Sequence, residues 1–183
     1  MNADSEPTNS TPLAPSPAGA EGAPAQEFPE TDSARDFTRV LASHPFLRDL
    51  APEHLQHLAV NAVSVRCRAE EFLFREGEPA NRFYLIQSGR VALEAHLRDE
   101  APVEVQLLGA GEVIGWSWLF PPCHWNFDAR ALEPVTAISF YGTRLREQCD
   151  QDHHFGYEIM RRMTHVVIDR LQATRRQLLE CRR

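Results

Sequence analysis

At 183 residues, 43% hydrophobic and 25% charged, the chain is long enough for one domain with a real core and has the composition of an ordinary globular protein. Its net charge is −7, and because positions 1–34 hold six acids and no base, the rest of the chain sits at −1. That near-neutral body lacks the basic stripe of a nucleic-acid binder, and no window reaches the ~18 continuous apolar residues of a membrane span.

Residues 1–34 place Pro7, Pro12, Pro15, Pro17, Pro24 and Pro29 among Ala, Ser, Thr and Glu, and are expected to form a disordered, solvated tail. Helical spacing of Phe37, Val40 and Leu41 predicts a helix over 36–44 closed by Pro45, and Pro52 opens a second one through Leu55, Leu58 and Ala59. At Val63 the period falls to two. Strands are predicted at 63–67, 72–74, 82–87, 90–96, 103–108, 113–114, 127–132 and 135–140, with turns at 76–79, 88–89 and 109–111. Short strands at this spacing make a roll or barrel of Greek-key type. From about Asp152 the pattern turns helical again. Met160, Thr164, Val167, Leu171, Thr174, Leu178 and Cys181 step alternately by four and three, a heptad seam on one long amphipathic helix. The expected organisation is a tail over 1–34, a β-roll domain with N-terminal helices over 35–151, and the closing helix over 152–183.

Residues 111–131 carry all three tryptophans, a Pro-Pro pair and two glycines, which describes a compact connection rather than a regular element. Connections of that kind on a rigid scaffold are where ligands usually sit. Cys67, Cys123, Cys149 and Cys181 form no Cys-x-x-Cys pair, and the N-terminus has neither a basic start nor an apolar run for export, so reduced thiols in the cytoplasm are expected.

The run 71–93, Glu-Phe-Leu-Phe-Arg-Glu-Gly-Glu-Pro-Ala-Asn-Arg-Phe-Tyr-Leu-Ile-Gln-Ser-Gly-Arg-Val-Ala-Leu, resembles the first part of the cyclic nucleotide-binding domain of the catabolite activator and FNR regulator family. The order of Gly77, Glu78, Phe83, Leu85, Gly89, Val91 and Leu93 carries the resemblance, which spans about residues 38–181. It implies an α+β fold: a β jelly roll flanked by helices, with a long C-terminal helix that pairs two subunits. In that family the phosphate-binding cassette runs Gly-Glu, two apolar residues, Gly, Glu, a short helix, then Arg, a small hydroxyl residue and Ala. Gly111, Glu112, Val113, Ile114 and Gly115 match its opening. The ribose-binding glutamate falls on Trp116, followed by Ser117, and the phosphate-binding arginine falls on Trp125, followed by Asn126 and Phe127. Both charged anchors are replaced by indoles. A phosphate buried without its arginine loses a charge-assisted contact and is poorly compensated. Arg130 and His124 are the cations that would have to take over. The resemblance also makes Thr174, within 170–175, the residue that reaches a bound base, and puts Glu70 where the family has a glycine.

Trp116, Trp118 and Trp125 either stack a flat ligand or fill the nucleotide's space, and filling is the more frequent use of such clusters. The Cys123-His124 and His153-His154 pairs raise haem or metal ligation, but neither has a second ligand at standard spacing. No nucleophile, acid–base pair or phosphate loop marks an enzyme. The sequence printed here ends at Arg183 without residues for a recognition helix, so direct DNA binding is not expected. The reading is a stand-alone cytoplasmic regulatory or sensor module with a degenerate cassette. It would bind a small effector, whether cyclic AMP, cyclic GMP or a diverged ligand, or a protein partner, and would form a homodimer through the seam; a DNA-binding regulator and a haem or redox sensor are the alternatives.

Overall fold

The computed structural model describes residues 26–28, 34–96 and 101–180. Its elements follow in the order β1 (Gln26–Phe28), α1 (Ala34–Ser43), α2 (Pro52–Val60), β2 (Val63–Cys67), β3 (Phe72–Phe74), β4 (Arg82–Ser88), β5 (Val91–Ala95), β6 (Val103–Leu108), β7 (Val113–Ile114), β8 (Asp128–Ala131), β9 (Val135–Tyr141), α3 (Gly142–Gln151) and α4 (His153–Glu180), with short 3-10 turns at Pro45–Leu47 and Ser117–Leu119. The strands form two antiparallel sheets, ordered β1-β2-β9-β4-β7 and β3-β8-β5-β6, which face each other as a jelly roll.

Side-chain alternation along β4 decides the layers. Phe83 and Leu85 point to the helices, where they meet Leu41, Phe46, Leu58, Phe140, Phe155 and Ile159, whereas Tyr84 and Ile86 point between the sheets toward Leu73, Val91, Leu108 and Trp125. Both faces of this strand are therefore buried, which is why it reads as a continuous apolar run rather than as an alternating one. The same split holds for β7, whose Val113 faces the helices and whose Ile114 faces the roll. Gly89 makes the β4–β5 turn possible: its φ is +85°, and a Cβ there would lie 2.5 Å from the Pro134 carbonyl. Glu70, at the expected glycine position, adopts the left-handed φ of +68° all the same, and its carboxylate accepts a bond from Arg130 at 2.7 Å.

One expectation needs correcting, and one element was not expected. Residues 26–28 fall in the segment read as a disordered tail, yet they pair with β2 in the register Gln26↔Arg66 to Phe28↔Ser64, because the edge of β2 offers unpaired backbone groups. The rest of that segment, 1–25 and 29–33, lies outside the described residues. Helix α3 was not foreseen: over 142–151 it buries only Gly142 and Leu145, too few apolar residues for a periodic signal.

The start of α4 is held firmly. Asp152 accepts the Phe155 amide at 3.0 Å as a helix cap, and its other oxygen lies 3.0 Å from His54 Nε2 on α2. Phe155, Ile159 and Met163 are buried one helical turn apart. Beyond Met163 the helix changes character: Leu171 and Leu178 are 69% and 63% exposed. The seam residues Met160, Thr164 and Thr174 are exposed as well, Val167 is half-buried, and Cys181 lies outside the described residues.

Candidate ligand-binding site

The connection after β6 is shaped by close approach. Gly115, with φ +89°, sits where a Cβ would lie 2.8 Å from the Arg82 carbonyl and 2.9 Å from the Trp125 ring. The chain then turns through Ser117–Leu119, which drives Trp118 into the helix-side core. Trp125 goes the other way. It is 4% exposed, lies between the sheets and stacks on Phe74 with ring centroids 3.8 Å apart and planes at 15°. Its backbone is fixed to the 76–79 turn by Trp125 N donating to the Glu78 carbonyl and Gly77 N donating to the Trp125 carbonyl, both at 2.9 Å. The three tryptophans do not form one box, since Trp118 belongs to a different core from Trp125 and Trp116 is half-buried at the rim between them.

Space nevertheless remains above Trp125. A cavity of 390 Å³ is lined by Phe74, Leu93, Val105, Ile114, Gly115, Trp116, Ser117, Trp125, Asn126 and Phe127, and is roofed by Val167, Arg170, Leu171 and Thr174 of α4. Seven of the candidate ligand-binding residues read from the sequence meet there: Ile114, Gly115, Trp116, Ser117, Trp125, Asn126 and Thr174. Gly111, Glu112 and Val113 instead line a neighbouring cavity of 530 Å³ with Pro45, Phe46, Arg162, His165, Asp169 and Arg176. Gln106 and Arg170 line both.

Neither cation expected to replace the cassette arginine lines these cavities. Arg130 donates its Nε to both oxygens of the buried Glu94 at 3.1 and 3.0 Å and its Nη1 to Glu70, and the bond to Glu94 leads the effects that raise its pKa. His124 is exposed and donates Nδ1–H to the Pro122 carbonyl at 2.8 Å. Nearby, buried Asp128 accepts the Glu76 amide at 2.7 Å, His96 at 2.9 Å and Arg75 at 3.3 Å. Burial pushes the Asp128 carboxyl upward, but these donors outweigh it and hold the group below the usual range. The sequence reading missed this staple because its members lie 32 to 53 residues apart.

It also missed Arg170. This residue stands four positions before Thr174, so both share one helical face, and that spacing was legible. Its Nη2 donates to the Val113 carbonyl, and the carboxylate that acts on it is Glu112. Burial draws the guanidinium down to about 10, against a smaller opposing pull from Glu112. Chemically, the arrangement is a largely apolar chamber with a few neutral hydrogen-bonding groups and one desolvated cation. Among the described residues no group of three His, Cys, Asp or Glu stands ready to hold a metal, and no helix is long and apolar enough to cross a membrane.

A double-sheet roll whose chamber is roofed by its own C-terminal helix is an effector-binding fold found in regulators and sensors. Within that class the chain carries a cyclic nucleotide-binding domain: the family model of that name matches residues 64–152. Uncharacterized NTE family proteins of Mycobacterium bovis and Mycobacterium tuberculosis are 34% identical over 83 residues, 44% of this chain, which spans only 13% of those curated relatives. Among solved structures, a cyclic nucleotide-binding protein from Geobacter metallireducens matches with TM-score 0.66 and 26% identity, covering 73% of this chain and 97% of that one. The sensor domain of the transcriptional regulator DNR from Pseudomonas aeruginosa matches with TM-score 0.63 and 19% identity over 76% and 93% of the two chains. The regulatory subunit of a cAMP-independent protein kinase A from Trypanosoma cruzi, bound to guanosine, matches with TM-score 0.55 and 21% identity over 68% and 48%.

Proposed function

We propose that the protein is a regulatory module that binds a small effector in the chamber beneath α4 and transmits occupancy through that helix. The observation that carries this reading is the roof: Val167, Leu171 and Thr174 line the chamber and also belong to the seam, where Val167 is half-buried and Leu171 and Thr174 are exposed. A ligand touching them acts directly on the surface through which we propose a parallel homodimer forms. Cyclic AMP in the family's usual pose is not that effector, since Trp125 stacks on Phe74 at the arginine position and Arg130 is spent on Glu94 and Glu70. A relative of this fold bound to guanosine supports a ligand without a cyclic phosphate. The role is regulatory rather than catalytic, because the chamber presents hydroxyl, amide and guanidinium groups but no nucleophile beside a base. A cytoplasmic location is supported by the unpaired Cys67, Cys123 and Cys149.

A thermal-shift screen of the full chain against cyclic AMP, cyclic GMP, guanosine and flat aromatic compounds tests the effector reading. Stabilisation of the wild type that is lost when the chamber is filled by Thr174→Trp is expected; no stabilisation by any compound contradicts it. For the dimer, burying Leu171 on both protomers contributes ~1.5 to 3 kcal/mol per side chain. Leu171→Asp is therefore expected to give a monomer by light scattering, and a wild type that is monomeric at high concentration contradicts the proposal.

A further inference from the structure

We infer that the chamber's ligand is a flat, largely apolar molecule bearing one anionic group, and that Arg170 of α4, not the cassette, holds that group. The inference rests on the effector reading above and assigns the chemistry of the effector.

Three observations carry it. First, the chamber walls are Phe74, Leu93, Ile114, Trp116, Trp125 and Phe127, with Ser117, Asn126, Gln106 and Thr174 as neutral polar groups and Arg170 as the one charge. A volume of 390 Å³ lies at the small end of ligand sites, suited to a fused-ring compound. Second, Arg170 is incompletely satisfied. A guanidinium has five N–H donors, and here a single carbonyl, that of Val113, is its partner among the described residues. A desolvated cation costs free energy until an anion pairs with it, so an incoming carboxylate, sulfonate or phosphate monoester gains a charge-assisted contact that the empty site lacks. Third, Glu112 and Arg162, which line the neighbouring cavity together with Arg170, are already engaged. Glu112, the carboxylate that acts on Arg170 electrostatically, accepts the Gly109 amide at 2.7 Å, and Arg162 is bonded to Glu158 and to the Arg48 carbonyl. Arg170, which also lines the neighbouring cavity, is the one charged residue among those lining the chamber, which matches one negative charge and leaves a polyanion under-neutralised.

The placement also distinguishes two ligand classes. A neutral nucleoside would use Asn126, Ser117 and Thr174 and would leave Arg170 as it is; an anion would draw it off the Val113 carbonyl and tie α4 to the ligand.

The test compares 8-anilinonaphthalene-1-sulfonate with its uncharged parent, N-phenyl-1-naphthylamine, by fluorescence titration of the full chain. The sulfonate is expected to bind about tenfold or more tightly than the parent. Arg170→Gln should abolish that preference without weakening the parent, and Arg170→Lys, which keeps the charge, should retain most of it. Equal affinities in the unmutated protein, or a sulfonate affinity indifferent to Arg170→Gln, overturn the anion assignment while leaving the effector reading intact. Binding of neither compound, with no stabilisation in the screen above, sinks both. If Arg170→Gln does not fold, the unmutated comparison and the lysine variant still decide.

Discussion

Two arginines within the same roll show how differently one residue type is used. Arg130, on the wall, gives its guanidinium to Glu94 and Glu70, and the adjacent Asp128 collects an amide, a histidine and another arginine. Arg170, on the roof, has a carbonyl and an apolar chamber. Where charges are paired, the cluster is scaffold and its loss should be felt as stability. Where a desolvated charge is left with a weak partner, the fold gains little from it, and its use lies in what arrives.

The largest effect expected from this contrast is on the wall. Arg130→Ala leaves the buried Glu94 carboxylate uncompensated and should destabilise the protein by about 3 kcal/mol in urea unfolding, with Glu94→Gln in the same chain recovering part of the loss. Next comes Asp128→Asn, which weakens the staple and should cost about 2 kcal/mol. Its pH dependence has a definite sign. The folded Asp128 pKa is depressed, so its contribution is present above its unfolded value near ~4 and disappears as pH falls through the folded one. The folded His96 pKa is raised, chiefly by the bond to Asp128, so the charged form's contribution is complete below ~6.5 and is lost as pH rises through the raised value. The gap between wild type and Asp128→Asn should therefore be widest between about pH 4 and 6.5 and narrow on either side. The smallest effect belongs to the roof: Arg170→Gln should change stability by no more than ~0.5 kcal/mol, because the lost carbonyl bond is offset by relief of desolvation. A loss comparable with that of Arg130→Ala would erase the distinction.

The strands were legible because period-two alternation and the glycine turns survive in almost every segment. The apolar run of β4 was recognisable as a strand, although only the structure shows both of its faces buried. Helix α3 escaped because its contacts are made by Gly142 against Trp118 and by Leu145, not by an apolar stripe. The three-residue β1 escaped because the edge of β2, not local propensity, recruits it. At the site, the sequence put Trp116 and Trp125 where the resemblance expects charged anchors, but the surroundings of Arg130 and His124 could not be read from it. Whether Arg130 faces a ligand or Glu94 depends on cross-strand pairing, in which Ala92 lies opposite Arg130 and Asp128 opposite Glu94. Arg170 was recoverable from its spacing to Thr174, yet its desolvation follows only from how α4 lies over Val113.

The claim that most needs testing is that the cassette no longer recognises a cyclic phosphate. Calorimetric titration of the full chain with cyclic AMP addresses it most directly. With Trp125 stacked on Phe74 and Arg130 committed to Glu94, no binding in the low-micromolar range is expected; a low-micromolar dissociation constant that persists in Arg170→Gln would contradict the account.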